Sequence, residues 1–212
     1  PAQALAEGAP KLHPKGNVLA HEVLSRGNAE EAIANAKYVV TRHYSTPQTD
    51  HAFMEPECAI AVKRDNGELD LYTGGQSVYD EQHEVSRMLE IPAEAVHVHS
   101  MLVGGGFGGK EDMSVQHHAA LMAWKTGKPV KVKFSRQESL DIHVKRHAME
   151  MDITTACDEE GNIVGSKVII VSDCGAYASL GGPVLQRACT HSGGPYHYDN
   201  FYVEGTCVYT NN

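Results

Sequence analysis

The apolar residues of this 212-residue chain recur at two periods, and the switches between them mark its elements. Ala29, Ala32, Ile33 and Ala36 give a short helix one apolar face, and Asn28 with Glu31 three residues later supplies a helix-start pattern. The run Tyr38-Val39-Val40-Thr41-Arg42-His43-Tyr44 then reads as a strand rich in β-branched and aromatic residues. Two more strands, near 58–63 and 69–73, flank Asp65-Asn66-Gly67-Glu68. Asn-Gly accepts the positive φ of a tight turn, so this pair is predicted as an antiparallel hairpin. A helix over 77–89, with Val78, His83, Val85, Met88 and Leu89 as inner positions, stops at Pro92. The strand Val96-His97-Val98-His99 leads into a glycine-rich turn, a helix is predicted over 112–126, and a strand follows over 130–134. Strand, helix and strand together suggest a parallel crossover.

Further strands are predicted near 150–156 and 163–171 around Asp158-Glu159-Glu160-Gly161, with a helical portion at 185–190 and a last strand at 202–209. Residues 1–21 are rich in Pro, Gly, Ala and Lys without clean period, so 1–27 reads as an extended lead-in or linker. The fold class expected is mixed α/β, of the α+β kind, with helices packed on a mixed β-sheet over 28–212 and a subdomain boundary near 140–150.

Composition narrows the class. Apolar residues make up 42% and charged residues 21%, ordinary values for a soluble domain, and no apolar run is long enough for a membrane span. A net charge of -9 argues against nucleic acid as a partner. The five cysteines are odd in number, widely spaced and without a CxxC pair, which fits reduced thiols in the cytoplasm and no cluster site on this chain. The start PAQALAEGAP has no secretory pattern and reads as that of an excised piece.

The turn Gly104 to Glu111 (GGGFGGKE) offers several chemistries. Gly104-x-Gly106-x-x-Gly109 satisfies the dinucleotide pattern, and Arg136 near the end of the next strand would suit a 2′-phosphate, which keeps an NADP-binding oxidoreductase domain in play. Gly104-xxxx-Gly109-Lys110 satisfies most of a phosphate-binding loop, but Glu111 stands where a hydroxyl should hold magnesium. The plainest reading is close packing of a strand on a helix, for which one or two glycines would suffice.

The surroundings of the turn are more specific. GGGFGGKED, with TGGQ at Thr73 to Gln76, HAFMEPE at His51 to Glu57, RHAMEM at Arg146 to Met151, DCGAYAS at Asp173 to Ser179 and the terminal YTNN, resembles the molybdenum-cofactor-binding subunit of the xanthine dehydrogenase and aldehyde oxidase family of molybdenum hydroxylases. The resemblance runs from about His13 to the end, and Gln76 stands 31 residues before Phe107, as in that family.

The resemblance implies that the Gln76 side-chain amide hydrogen-bonds an oxo ligand of molybdenum and that main-chain N–H groups at Phe107 and Gly108, in a turn with Gly106, face the same ligand set. None of these would ligate the metal directly. Amide and backbone N–H groups suit that task, because they donate to an acceptor oxygen without losing a proton. It also implies that Glu111 reaches the substrate, which favours a purine or related N-heterocycle over a simple aldehyde; the alternative is an acid in the first turn of a helix. The implied reaction is oxidative hydroxylation with water-derived oxygen. The implied cofactors are a molybdenum-pterin group, with the cytosine dinucleotide as one form, and iron–sulfur clusters and FAD on other domains or subunits. The family's substrate Arg and general-base Glu would lie beyond Asn212, so no catalytic residue is assigned here, and this piece alone is expected neither to turn over nor to retain cofactor. A non-catalytic scaffold or subunit-interaction module is the remaining alternative.

Thirteen histidines invite a metal reading, with His97 and His99 on one strand face and His143 and His147 four apart. Neither pair has an evident third ligand, and a structural role is preferred. Glu55 is read as anchoring a turn through backbone hydrogen bonds, Lys110 as packing or surface, and Asp173, Tyr177 and Arg187 as a buried polar network.

Overall fold

The computed structural model describes residues 1–211. In chain order the elements are α1 (Ala2–Leu5), β1 (Val18–Arg26), α2 (Ala29–Ala34), β2 (Tyr38–Thr46), β3 (Cys58–Lys63), β4 (Leu69–Thr73), α3 (Val78–Leu89) and β5 (Val96–Ser100). They continue with α4 (Gln116–Thr126), β6 (Val130–Lys133), α5 (Arg136–Ile142), β7 (Ala148–Cys157), β8 (Ile163–Asp173), α6 (Gly181–His191) and β9 (Phe201–Val208). The fold is mixed α/β as expected, but with two mixed sheets rather than one, in two compact units: Pro1–Thr49 with His147–Asn212, and Asp50–Arg146.

The first unit holds a five-stranded sheet of order β1-β9-β8-β7-β2, antiparallel except for the β8–β9 pair. Its core gathers Val168, Ile170, Leu185, Cys189, Val203 and Cys207, where α6 covers the sheet. The lead-in expected over 1–27 is corrected here, because Val18–Arg26 is a nine-residue strand paired along β9. Its apolar and polar residues do not alternate because, as an edge strand, most of it stays exposed. The expected cap of α2 forms, the Asn28 side chain accepting from the Glu31 N–H. The proposed Asp173, Tyr177 and Arg187 network does not form. Asp173 is buried and accepts from the Gly175 N–H at 2.9 Å, but Tyr177 is 79% exposed and Arg187 is exposed.

The second unit holds a four-stranded sheet of order β5-β4-β3-β6, in which β4 and β5 are parallel and the β3 pairs antiparallel. The hairpin predicted around Asn66-Gly67 joins β3 to β4 in register, Ala59 opposite Thr73 and Lys63 opposite Leu69. Helices α3 and α4 cover this sheet over a core that includes Ala61, Leu69, Leu71, Val85, Val96, Val115 and Ala120. Each large aliphatic side chain so buried contributes about 1.5–3 kcal/mol. The inner face of α3 differs from expectation: Glu81, Val85 and Ser86 are buried, whereas His83 and Met88 are exposed. The parallel crossover also differs. β5 and β6 lie at opposite edges of the sheet, and the adjacent parallel pair is β4 with β5, joined through α3.

Candidate functional site

Strand polarity explains how segments far apart in sequence meet. β4 and β5 are parallel neighbours, so the residues that follow them, TGGQ and the glycine turn, leave the sheet at the same end. β3 runs antiparallel to β4, so the HAFMEPE segment that precedes it arrives at that end too. Three motifs that the sequence spreads over 51–112 therefore converge on one edge of the second unit, beyond the carboxyl ends of its parallel strands.

Gln76 is fastened to the turn on both sides. Its main-chain N–H donates to Lys110 O at 2.8 Å, and its side-chain Oε1 accepts from the N–H groups of Gly108 at 3.1 Å and Lys110 at 3.2 Å. Two donors aimed at one atom fix that atom as the oxygen, so the amide NH2 of Gln76 points away with its donors available. Gly106 is buried because this side chain lies against it: a Cβ there would stand 2.1 Å from Gln76 Oε1. Gly106 thus admits Gln76, and the Gly108 N–H, expected to face a ligand, is taken up by Gln76. The Phe107 N–H has no hydrogen bond among the described residues. Phe107 is held at φ 53, in the left-handed region, with its side chain turned outward at 68% exposure.

A charged brace holds the start of the turn. Glu55 Oε2 accepts from the Gly104 N–H at 2.7 Å and from Lys110 Nζ at 3.1 Å, while the Glu55 N–H donates to Gly104 O. The Gly104 N–H, and then Lys110, hold the Glu55 carboxyl below its ordinary value. Glu55 anchors the turn as expected. Lys110 is buried, not a surface residue, and its ammonium also lies 4.6 Å from the centre of the buried Phe53 ring.

Two buried polar clusters beneath this end escaped the sequence reading. In the first, His143 Nδ1 lies 2.7 Å from Glu57 Oε1, with both side chains buried and out of line for a hydrogen bond. His143 meets the edges of His51 and Phe53, and burial lowers the pKa of both histidines. A Cβ on Gly109 would stand 2.7 Å from His51 Nδ1 and 2.8 Å from His143 Nε2, so these rings form the floor of the turn. The signal was present, since HAFMEPE contains both His51 and Glu57. In the second, Glu81 Oε1 accepts from Gln116 Nε2 at 2.9 Å and from Thr73 Oγ1 at 3.4 Å, and Thr73 Oγ1 accepts from the Gly75 N–H at 3.0 Å. Burial pushes the Glu81 carboxyl up to about 7. The signal for this cluster was Glu81 standing four residues before Val85, on the apolar face of α3.

Other expectations are corrected. Helix α4 begins at Gln116, so the turn does not open a helix and lacks the N-terminal dipole that a dinucleotide or phosphate loop requires. Arg136 is also unavailable for a 2′-phosphate, since its guanidinium donates to Phe53 O and Met54 O at 2.5 and 2.9 Å. For the same reason Glu111 is not a first-turn helix acid; it is an exposed loop residue next to the turn. Ser135 and Glu138 form a capping box that starts α5, a pattern readable in the sequence. α5 stops at Ile142, so His143 and His147 do not share a helix face. His97 and His99 are held by Glu68 and Asp70 at 3.1 and 2.7 Å, and no group of three or more ligands that could hold a metal ion occurs among the described residues. No helix among them is long and apolar enough to cross a membrane.

Comparison with known proteins adds three findings. A family model described as the molybdopterin cofactor-binding domain matches residues 12–212. The chain is 40% identical over 212 residues to a probable xanthine dehydrogenase subunit of Bacillus subtilis (strain 168), covering 100% of this chain and 28% of that protein. It is 38% identical over 210 residues to the nicotinate dehydrogenase large molybdopterin subunit of Eubacterium barkeri, covering 99% of this chain and 49% of that one. The chain thus spans between about a quarter and a half of the length of these relatives. The aldehyde oxidoreductase from Desulfovibrio gigas shares the fold, with a TM-score of 0.92 at 24% identity over 99% of this chain and 23% of that chain.

Proposed function

Since the chain belongs to the molybdopterin cofactor-binding domain family, we propose that Gln76 and the glycine turn form one wall of a molybdenum-pterin site in a hydroxylase acting on a purine or related N-heterocycle. The observation that carries this reading is the orientation of Gln76. Its oxygen is consumed by two backbone N–H groups, which leaves two amide donors facing outward beside the Phe107 N–H. Such a donor set fits a group whose exposed atoms are acceptor oxygens, and it is neutral, fixed and free of acid–base demands.

Bound there, the molybdenum-pterin group supplies two-electron oxidation with water-derived oxygen. The residues of this chain hold and orient. Gln76 donates through Nε2, Phe107 through its main chain, Gly106 makes room for Gln76, and Gly108 fixes its amide. Glu111, exposed at the end of the turn, offers a carboxyl group to the ring nitrogens of the substrate. The remainder of the molybdenum-binding subunit supplies a substrate Arg, a general base and most pterin contacts, and iron–sulfur and FAD domains or subunits carry electrons away. Exposed apolar side chains at the same end, Met54 at 90%, Leu102 at 94% and Phe107 at 68%, support a covering partner or ligand there.

The test uses the intact protein with its partners. Gln76→Ala is expected to lower the oxidation rate per bound molybdenum about 100-fold, the usual loss on removing one fixed donor. Glu111→Gln is expected to lower kcat/KM for N-heterocycles while sparing simple aldehydes. Saturable NADPH binding at the turn, or a folded protein devoid of molybdenum and turnover, would replace this reading with a nucleotide domain or a scaffold.

A further inference from the structure

We infer that Glu81 is a positioning residue for the Gln76 amide, acting through the backbone of Gly75. The inference rests on the reading of Gln76 as the residue that faces the cofactor, but its geometry stands in this chain alone.

Glu81 lies in the first turns of α3, 1% exposed, with its carboxyl directed at the stretch between β4 and α3 that carries Gln76. It packs against Gly75 so closely that a Cβ on that glycine would stand 1.6 Å from Glu81 Oε1. Three elements converge on the contact. Thr73 ends β4 and accepts from the Gly75 N–H; Gln116 opens α4, reaches both Glu81 and Thr73 with Nε2, and accepts from the N–H groups of Ser114 and Val115 with Oε1. The carboxyl is thus the stop against which the Gly75–Gln76 peptide rests, one residue from the side chain that fastens the glycine turn.

The cluster contains no cation. Glu81 Oε2 is buried without a hydrogen-bond partner among the described residues, and Gln116 and Thr73 are neutral. Asp80, also on α3, bears on the carboxyl as a like charge, and Lys110 and Asp112 line the adjoining cleft. A protonated Glu81 fits this setting. An ionised one places a charge in a dry site, so it draws water or swings aside and withdraws the stop. Because its burial moves the titration to about 7, the change falls in an accessible range.

The test is amide hydrogen exchange on the intact protein, with and without bound molybdenum, corrected for the chemical pH dependence of exchange. In the unmodified protein, protection at Gly75, Gly108 and Lys110 should fall about tenfold between about pH 6 and about pH 8, as when one or two hydrogen bonds are lost, while Leu71 and Ala123 stay protected. Glu81→Gln should hold the high-protection state at both pH values. Glu81→Leu should lose protection at the three turn amides at both. A pH step that survives in Glu81→Gln, or a Glu81→Leu loss spread evenly over the sheet and helices, overturns the inference; if the Leu variant does not fold, the Gln variant decides. Failure of the cofactor reading would appear as absent molybdenum and would leave the exchange result of the metal-free protein unaffected.

Discussion

Two glycines three residues apart in the turn should respond differently to the same substitution, one mainly in rate and the other mainly in stability. An alanine methyl at Gly106 would meet Gln76 Oε1, Cδ and Cγ at 2.1, 2.6 and 3.1 Å, all atoms of one exposed side chain. That side chain can swing away. The loss is then the pair of hydrogen bonds from Gly108 and Lys110, about 1 kcal/mol each, partly offset by the about 0.4–1 kcal/mol that alanine gains by restricting the unfolded chain. The net cost is about 1 kcal/mol. At Gly109 the methyl would meet His51 and His143, and His143 is buried, wedged on Phe53 and paired with Glu57. Overpacking a site that cannot yield costs about 1–3 kcal/mol. Gly109→Ala should therefore cost about 2–3 kcal/mol.

Urea denaturation gives both values from the transition midpoints at a common slope, and substrate oxidation per bound molybdenum reports the site. Gly106→Ala should keep a near-normal midpoint and lose about 100-fold in rate, because the amide donors are displaced. Gly109→Ala should lose stability first. Equal destabilisation by the two variants, or a Gly106→Ala enzyme of normal rate, would refute the assignment of Gly106 as the seat of Gln76.

Three further outcomes follow from the same geometry. The Glu81 carboxyl is raised in the fold from 4.5 to about 7, so its contribution to stability is full below about pH 4.5, falls between the two values and is gone above about 7. That difference, at about 1.4 kcal/mol per pH unit, makes Glu81→Gln more stable than its parent at pH 8 by about 3 kcal/mol relative to the same comparison at pH 4.5, measured by urea denaturation at both. Glu55→Ala should cost about 2 kcal/mol, less than for a fully buried pair because Glu55 is 42% exposed, and adding Lys110→Met should recover part of it in a double-mutant cycle. The Glu55 carboxyl is held low, so its contribution is present above 4.5 and fades only as acid titrates it below that value, an opposite sign to Glu81. Asn28→Ala, far from the site in sequence, should cost about 1 kcal/mol in thermal or chemical denaturation through loss of the α2 cap alone.

How much of this was legible in the chain depends on how local its cause is. The Asn66-Gly67 hairpin and the Asn28 cap rest on contacts within a few residues, and both form as read. β1 escaped because the strand it pairs with among the described residues is β9, some 180 residues away, and an edge strand needs no alternation to be stable there. The start of α4 was placed too early because 112–115 was read as helix. There the Gln116 side chain accepts from the Ser114 and Val115 N–H groups and fixes a non-helical entry. Gln76 was singled out by a family resemblance that its spacing to Phe107 supports, yet its anchoring by Gly108 and Lys110 was not legible, since no pattern in the sequence says which end of an amide faces inward.

The residues that support the turn were hidden by a different cause. Glu57, Glu81 and His143 carry ionisable groups into a dry interior, where each costs free energy unless another polar group meets it. Hydrophobic periodicity does not mark such residues as interior, and the inner face expected for α3 accordingly included His83 and Met88 and left out Glu81. Burying them is intelligible once the topology is known. Three loops must end together beyond β3, β4 and β5, and apolar packing alone would leave their backbone N–H groups without acceptors. Thr73 and Glu55 meet two of those groups directly, and Glu81 with Gln116 holds Thr73 in place. The polar floor is thus what allows a turn of five glycines to keep one shape, and a substitution on α3 should be felt at Gln76.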